Sequence, residues 1–74
     1  LSDEEFYQGY RERLESKLRH KSQQITRTER LLQTLPEEQK PAFKALLAEA
    51  RAHHAEIQVE LDQLYKMLEQ AKLT

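Results

Sequence analysis

The sequence predicts an all-α fold, an antiparallel two-helix hairpin with coiled-coil-like packing. Three observations lead to this prediction. Of the 74 residues, 34% are charged, only one is glycine and none is cysteine, a composition typical of long helices with large surfaces. Both prolines lie in one short segment near the middle, and apolar residues recur at intervals of four and three on either side of it. We expect residues 1–74 to be one hairpin and, because the chain begins at Leu1 rather than Met, a part of a longer protein.

The first helix is predicted over about residues 3–34. Ser2 and Glu5 have the spacing of a capping box, in which each side chain satisfies a free backbone N–H of the other residue. Residues 3–5 are all acidic, which suits the positive end of the helix dipole. No proline interrupts the segment, and Gly9 is its only glycine.

The break between the helices is predicted at residues 35–41, which contain Pro36 and Pro41. Proline removes a backbone donor and restricts the residue before it, so it favours a helix boundary. Two arrangements fit. Pro41 can begin the second helix, where its missing N–H costs nothing, or Thr34 can cap a turn that starts at Pro36, with Pro41 producing a kink. The second helix is expected over about 41–73.

Heptad spacing predicts how the helices pack. Eight of the nine second-helix positions that alternate by four and three from Phe43 to Ala71 are apolar, and the corresponding series from Tyr7 to Leu35 has six apolar members of nine. We call these two series the seam. The residues on which we expect helix packing and dimerisation to depend are Leu14, Leu18, Ile25, Leu32, Phe43, Leu47, Ile57, Leu61, Leu64 and Leu68.

One seam cannot bury all the large apolar side chains, so we expect two hairpins to pair into a four-helix bundle, as a homodimer. The residues left off the seam are Leu31, Leu46, Val59, Tyr65, Met67 and Leu73. On this basis we also predict that Leu61→Asp dissociates the dimer.

Polar residues on the helices are expected to serve packing rather than chemistry. His54 falls on the seam, where a polar layer fixes the register of the two helices. Glu49, His53, Glu56 and Glu60 share one helix face, but the Glu-x-x-His spacing of a di-iron bundle is absent. We therefore expect no metal, no cofactor and no enzymatic activity.

Charge is distributed unevenly along the chain although the net charge is only −1. Residues 11–30 carry seven Lys or Arg against three Glu, and the second helix offers acidic partners. We expect salt bridges between the two helices to set their pairing, with Glu49, Glu56, Glu60, Asp62 and Glu69 as the acidic members. A net charge near zero argues against direct binding of nucleic acid, and no apolar run is long enough for a membrane span.

An aromatic cluster is predicted at the open end of the hairpin, formed by Phe6, Tyr7 and Tyr10 with Tyr65 within reach. It has two interpretations, aromatic core packing or a pocket for a small molecule. Gly9, which lies within the cluster, lacks a side chain and could allow another helix to approach closely.

The stretch Phe6-Tyr7-Gln8-Gly9-Tyr10-Arg11-Glu12-Arg13-Leu14-Glu15, with the leucine-rich second helix from Leu46 through Leu64, resembles the C-terminal helical domain of PadR-type transcriptional regulators. The resemblance implies a cytoplasmic dimerisation domain that holds a DNA-reading winged helix outside this chain, with a small-molecule effector in some members. Family members often carry a tryptophan here, which this chain lacks. The alternative is a helical-hairpin adaptor, or a secretion-type chaperone, that binds a helix of another protein.

Overall fold

The computed structural model describes residues 3–73, and the side chains of residues 3–71, as two long helices joined by a short turn. Helix α1 spans Asp3–Thr34, a single 3₁₀ turn spans Glu37–Gln39, and helix α2 spans Lys40–Leu73. The two helices pack against each other along their length, which confirms the all-α hairpin. The proposed cap at Ser2 lies outside the described residues.

The connection resolves the two arrangements that the sequence left open. Pro41 lies in the first turn of α2, directly after Lys40, where a helix needs no N–H donor. The Thr34 hydroxyl does not cap the next turn; it donates to the Leu31 carbonyl oxygen at 3.1 Å. The backbone N–H of Gln39 donates to the Pro36 carbonyl oxygen at 3.0 Å. The chain therefore passes from the 3₁₀ turn directly into α2.

The seam forms the contact between the helices. All nine seam positions from Tyr7 to Leu35, the last of which directly follows α1, are buried or half-buried. So are eight of the nine in α2, while Ala71 is exposed. The best-buried large side chains, Leu14, Leu61 and Leu64, form one cluster near the open end and retain 3–4% exposure. Leu47 and Ala50 are buried closer to the turn, so the core is a single narrow line of side chains.

Specific contacts define which residues of the two helices stand at the same height along the long axis of the hairpin, which we call their level. Leu14 packs with Leu61 and Leu64, and the Ser22 hydroxyl lies 3.1 Å from Nε2 of His54. Antiparallel helices rise equally per residue in opposite directions, so each step toward the turn in α1 is matched by one in α2. The level of any position follows from these contacts to within about two residues.

The hairpin is long and thin, with Cα extents of 56 × 17 × 13 Å. Its accessible surface is 5979 Å², whereas a compact monomer of 8.8 kDa has about 4,800 Å². The chain thus exposes about 1,200 Å² more than this scaling predicts. A two-helix hairpin has too few elements to cover its own apolar side chains.

Candidate interaction surface

The residues that immediately follow each seam position form one flank of the hairpin, which we call the bridged face. Three polar contacts cross between the helices on or beside it. The Tyr65 hydroxyl donates to the Glu15 carboxylate at 2.7 Å, and Ser22 contacts His54 of the seam. The Arg51 guanidinium and the Glu29 carboxylate form an ion pair at 3.9 Å. Five side chains of this face are therefore engaged in contacts between the helices of one chain.

The Tyr65 hydroxyl responds to this contact. Its hydrogen bond to the Glu15 carboxylate, together with desolvation and the negative charge of Glu15, raises the pKa of Tyr65 above the ordinary value of 10.0. The contact therefore favours the protonated phenol, which alone can donate to the carboxylate.

The residues that immediately precede each seam position form the opposite flank, which we call the split-charge face. Its α1 half is basic, with Arg13, Lys17 and Arg27 and no acidic residue. Its α2 half is acidic, with no Lys or Arg; its charged members are Glu49, Glu56 and Glu60. Both halves also carry one histidine, His20 and His53, and every position on this face except Tyr10 is exposed.

The salt bridges predicted between basic α1 and acidic α2 are absent from the described side chains; this prediction was wrong. At 3.9 Å, Glu29–Arg51 is the only ion pair there that joins the helices, and it has the opposite polarity. On the split-charge face the single cross-helix bond is donated by the Tyr10 hydroxyl to Glu60. The basic and acidic side chains of this face lie on the outer side of the seam, so they extend into solvent rather than across the seam to the other helix.

Tyr10 interacts with one charged residue on each half of the split-charge face, Arg13 in α1 and Glu60 in α2. Its hydrogen bond to Glu60, followed by desolvation and the charge of Glu60, raises the pKa of the Tyr10 hydroxyl, and nearby Arg13 lowers it to a smaller extent. The Arg13 guanidinium carbon lies 6.0 Å from the centre of the Tyr10 ring, at the outer limit of a cation–π contact.

Large exposed apolar side chains concentrate on the split-charge face. Leu31 and Leu46, 42% and 53% exposed, lie near the turn; Phe6 and Met67, 60% and 51% exposed, lie near the open end. The bridged face carries one such residue, Tyr65, which is 38% exposed and hydrogen-bonded. The face thus has apolar ends and a charged middle.

The ten residues predicted to mediate packing all lie between α1 and α2 of one chain. Four are buried, namely Leu14, Leu47, Leu61 and Leu64, and the other six are half-buried. Since Leu61 is 3% exposed and belongs to the core of a single hairpin, Leu61→Asp would disrupt the hairpin itself. The predicted loss of the dimer in Leu61→Asp would therefore not distinguish a broken interface between chains from a disrupted hairpin.

The four aromatic residues of the predicted cluster do not converge on one site. Phe6 and Tyr7 contact edge to face with ring centres 5.6 Å apart, but Tyr10 lies on the split-charge face and Tyr65 on the bridged face. A cleft at the open end is lined by Tyr7, Arg11 and Tyr65 among others. Nothing lies within 4 Å of a side-chain carbon placed on Gly9, so this residue does not mediate a close helix approach within the chain.

No group of three or more His, Asp or Glu side chains in the described part of the chain is placed to hold a metal ion. Within the same residues, neither helix contains a stretch apolar enough to cross a bilayer. Comparison of the chain with protein-family models, curated proteins and solved structures found no match. The split-charge face is therefore identified as the candidate site from its geometry and chemistry alone.

Proposed function

We propose that this hairpin is a non-catalytic dimerisation module in which two copies pair along their length into a four-helix bundle. The observation that carries the proposal is the surplus of exposed surface, about 1,200 Å² beyond that of a compact monomer. A stable complex buries about 800 Å² per partner, so one interface of ordinary size would remove most of this surplus.

The distribution of apolar residues supports an interface on one face. Phe6, Leu31, Leu46 and Met67 are each at least two-fifths exposed, and all four precede a seam position. Single exposed apolar residues are common on protein surfaces, but here four large ones lie along the same face of a molecule 56 Å long. Apolar residues grouped in this way mark contact sites.

The resemblance to PadR-type regulators supports a context for the module. In that context, two hairpins in the cytoplasm would hold two DNA-reading domains at a set distance, because the spacing of half-sites follows from dimer geometry. The gene upstream of the codon for Leu1 tests this part of the proposal, since a winged-helix segment is expected there and an unrelated segment would contradict it.

Sedimentation equilibrium at micromolar concentration tests the module itself. We expect a species of twice the 8.8 kDa chain mass. Met67→Glu should shift the population toward monomer, because it places a charge in the apolar end of the interface. Val59→Glu is the matched control, since Val59 is 55% exposed but lies on the outer side of α2, away from the split-charge face. The helix content of both variants is followed by circular dichroism.

A monomer at all concentrations, or equal weakening by both variants, would contradict the proposed dimer. The same face would then fit the adaptor alternative, in which a helix of a different protein occupies it. Recovery of that partner, together with loss of its binding in Met67→Glu but not in Val59→Glu, would establish the adaptor instead.

A further inference from the structure

We infer that the occupant of the split-charge face is a second copy of this chain, oriented so that α1 of each copy packs on α2 of the other with the two turns at the same end. The inference rests on the proposed dimer and specifies its orientation. It follows from the separation of charge on this face and from the levels of its residues.

Two symmetric arrangements can bring the same face of two hairpins together. If the two-fold axis runs parallel to the helices, basic α1 meets acidic α2 of the other copy. If the axis is perpendicular to the helices, α1 meets α1 and α2 meets α2. The second arrangement places the basic half of one copy, which carries Arg13, Lys17 and Arg27, on the basic half of the other, and it likewise places the acidic half on the acidic half. Like charges brought together are unfavourable, so the first arrangement is preferred.

The levels of the residues fit the first arrangement along the whole face. A parallel axis leaves every residue at its own level, so the contacts that align α1 with α2 inside one chain also predict the contacts between chains. From the Ser22–His54 contact, Arg27 stands at the level of Glu49 and His20 at that of Glu56. By the same count, Leu31 is level with Leu46 and Tyr10 with Met67, to within about two residues. Apolar residues thus meet apolar residues toward both ends, and between them Arg27 meets Glu49 and Lys17 lies within one residue of the level of Glu60.

The unused charges support the same conclusion. Among the described side chains, Lys17, Arg27, Glu49 and Glu56 form no ion pair within the chain, although each is exposed. On the bridged face, Tyr65, Glu15 and the Glu29–Arg51 pair are engaged inside the hairpin, and the remaining charges are not divided by sign between the helices as they are on the split-charge face. Flanking charges of opposite sign are the usual means by which helices select partner and orientation.

Cross-linking tests the orientation directly, because the chain has no cysteine of its own. A chain with Leu31→Cys and a second chain with Leu46→Cys are mixed and treated with a short bis-maleimide. We expect mainly the linked heterodimer. The control mixture pairs Leu31→Cys with Phe6→Cys, residues that lie at opposite ends in the inferred dimer but would meet if the axis were perpendicular. Preferential linkage in the control mixture would overturn the inference.

Charge exchange provides the second measurement. Arg27→Glu should raise the dimer Kd about tenfold, because two symmetry-related pairs become repulsive. Adding Glu49→Arg to the same chain should restore the affinity to near that of the wild type, since each new glutamate then faces a new arginine. The doubly changed chain should also pair with itself in preference to the wild type. A double variant no stronger than Arg27→Glu would overturn the inferred contact.

These outcomes separate the orientation from the proposed function. A dimeric wild type with the wrong cross-links would refute the orientation and leave the dimerisation module intact. A wild type that sediments as a monomer would refute both.

Discussion

Two adjacent leucines in α2 allow packing within the hairpin to be separated from packing between hairpins. Leu47 is 7% exposed and lies on the seam, while Leu46 is 53% exposed and lies on the split-charge face. Replacing either with alanine makes the same chemical change at neighbouring positions of one helix, so the effect on helix propensity is equal. Any difference between Leu46→Ala and Leu47→Ala reports on the surroundings of the two side chains.

The expected magnitudes follow from burial. Leu47→Ala removes three buried carbon groups, at about 0.8 kcal/mol each, and should destabilise the single hairpin by about 2–3 kcal/mol. Leu46→Ala removes a side chain that is half exposed in the monomer, so it should cost the monomer less than about 1 kcal/mol. In the dimer, two such side chains lose their contact with Leu31, which should weaken association by on the order of 2–3 kcal/mol, or about two decades in Kd.

Thermal unfolding followed by circular dichroism over a hundredfold range of concentration checks this prediction. The Tm of a dimer rises with concentration, whereas that of a monomer does not. Leu47→Ala should lower the Tm and the helix content even at the lowest concentration. Leu46→Ala should act mainly at high concentration, where the wild type is paired. If both variants behave alike, the division of α2 into an inner and an outer apolar face is refuted.

Two further predictions concern single positions. Gly9→Ala should stabilise α1 by about 0.5–1 kcal/mol in a denaturant titration, because Gly9 has no positive φ and nothing lies within 4 Å of the added carbon; a loss of stability would show that the position is in contact. Tyr65→Phe should make the protein lose less stability as the pH rises into the alkaline range. The folded-state pKa of Tyr65 is raised, so its contribution is complete below pH 10.0 and is lost as pH rises through the folded-state value. Melting from pH 9 to pH 11.5 should therefore lower the Tm of the wild type more than that of the variant, and parallel curves would refute the link.

The fold could be predicted from the sequence because two simple signals agree. Two prolines within six residues interrupt an otherwise continuous helical pattern, and the four–three spacing of apolar residues defines one inner stripe on each side. The hairpin then follows, since both stripes can be buried only against each other. The residues left off the stripe could also be identified, and Leu31, Leu46 and Met67 are indeed exposed.

The polar contacts could not be predicted in the same way. Sequence spacing shows that basic α1 and acidic α2 could pair, but it does not show how far a flanking side chain extends from the seam. In the structure, the phenol of Tyr10 rather than a cation reaches Glu60, and Glu15 pairs with Tyr65. These contacts depend on side-chain reach and direction at a given level, which become defined only after the helices are packed.

The doubled-back path of the chain has a consequence for whatever is joined to it. Because α1 and α2 are nearly equal in length, the backbone at Asp3 and at Leu73 emerges from the same pole, and the turn stands at the other pole of a molecule 56 Å long. Domains attached at those two points would be held side by side, although 69 residues of sequence lie between the points. The hairpin would then hold the two domains close together rather than keep them apart. The turn, at the far end of the molecule, would be a suitable place to attach a fluorophore or an affinity tag.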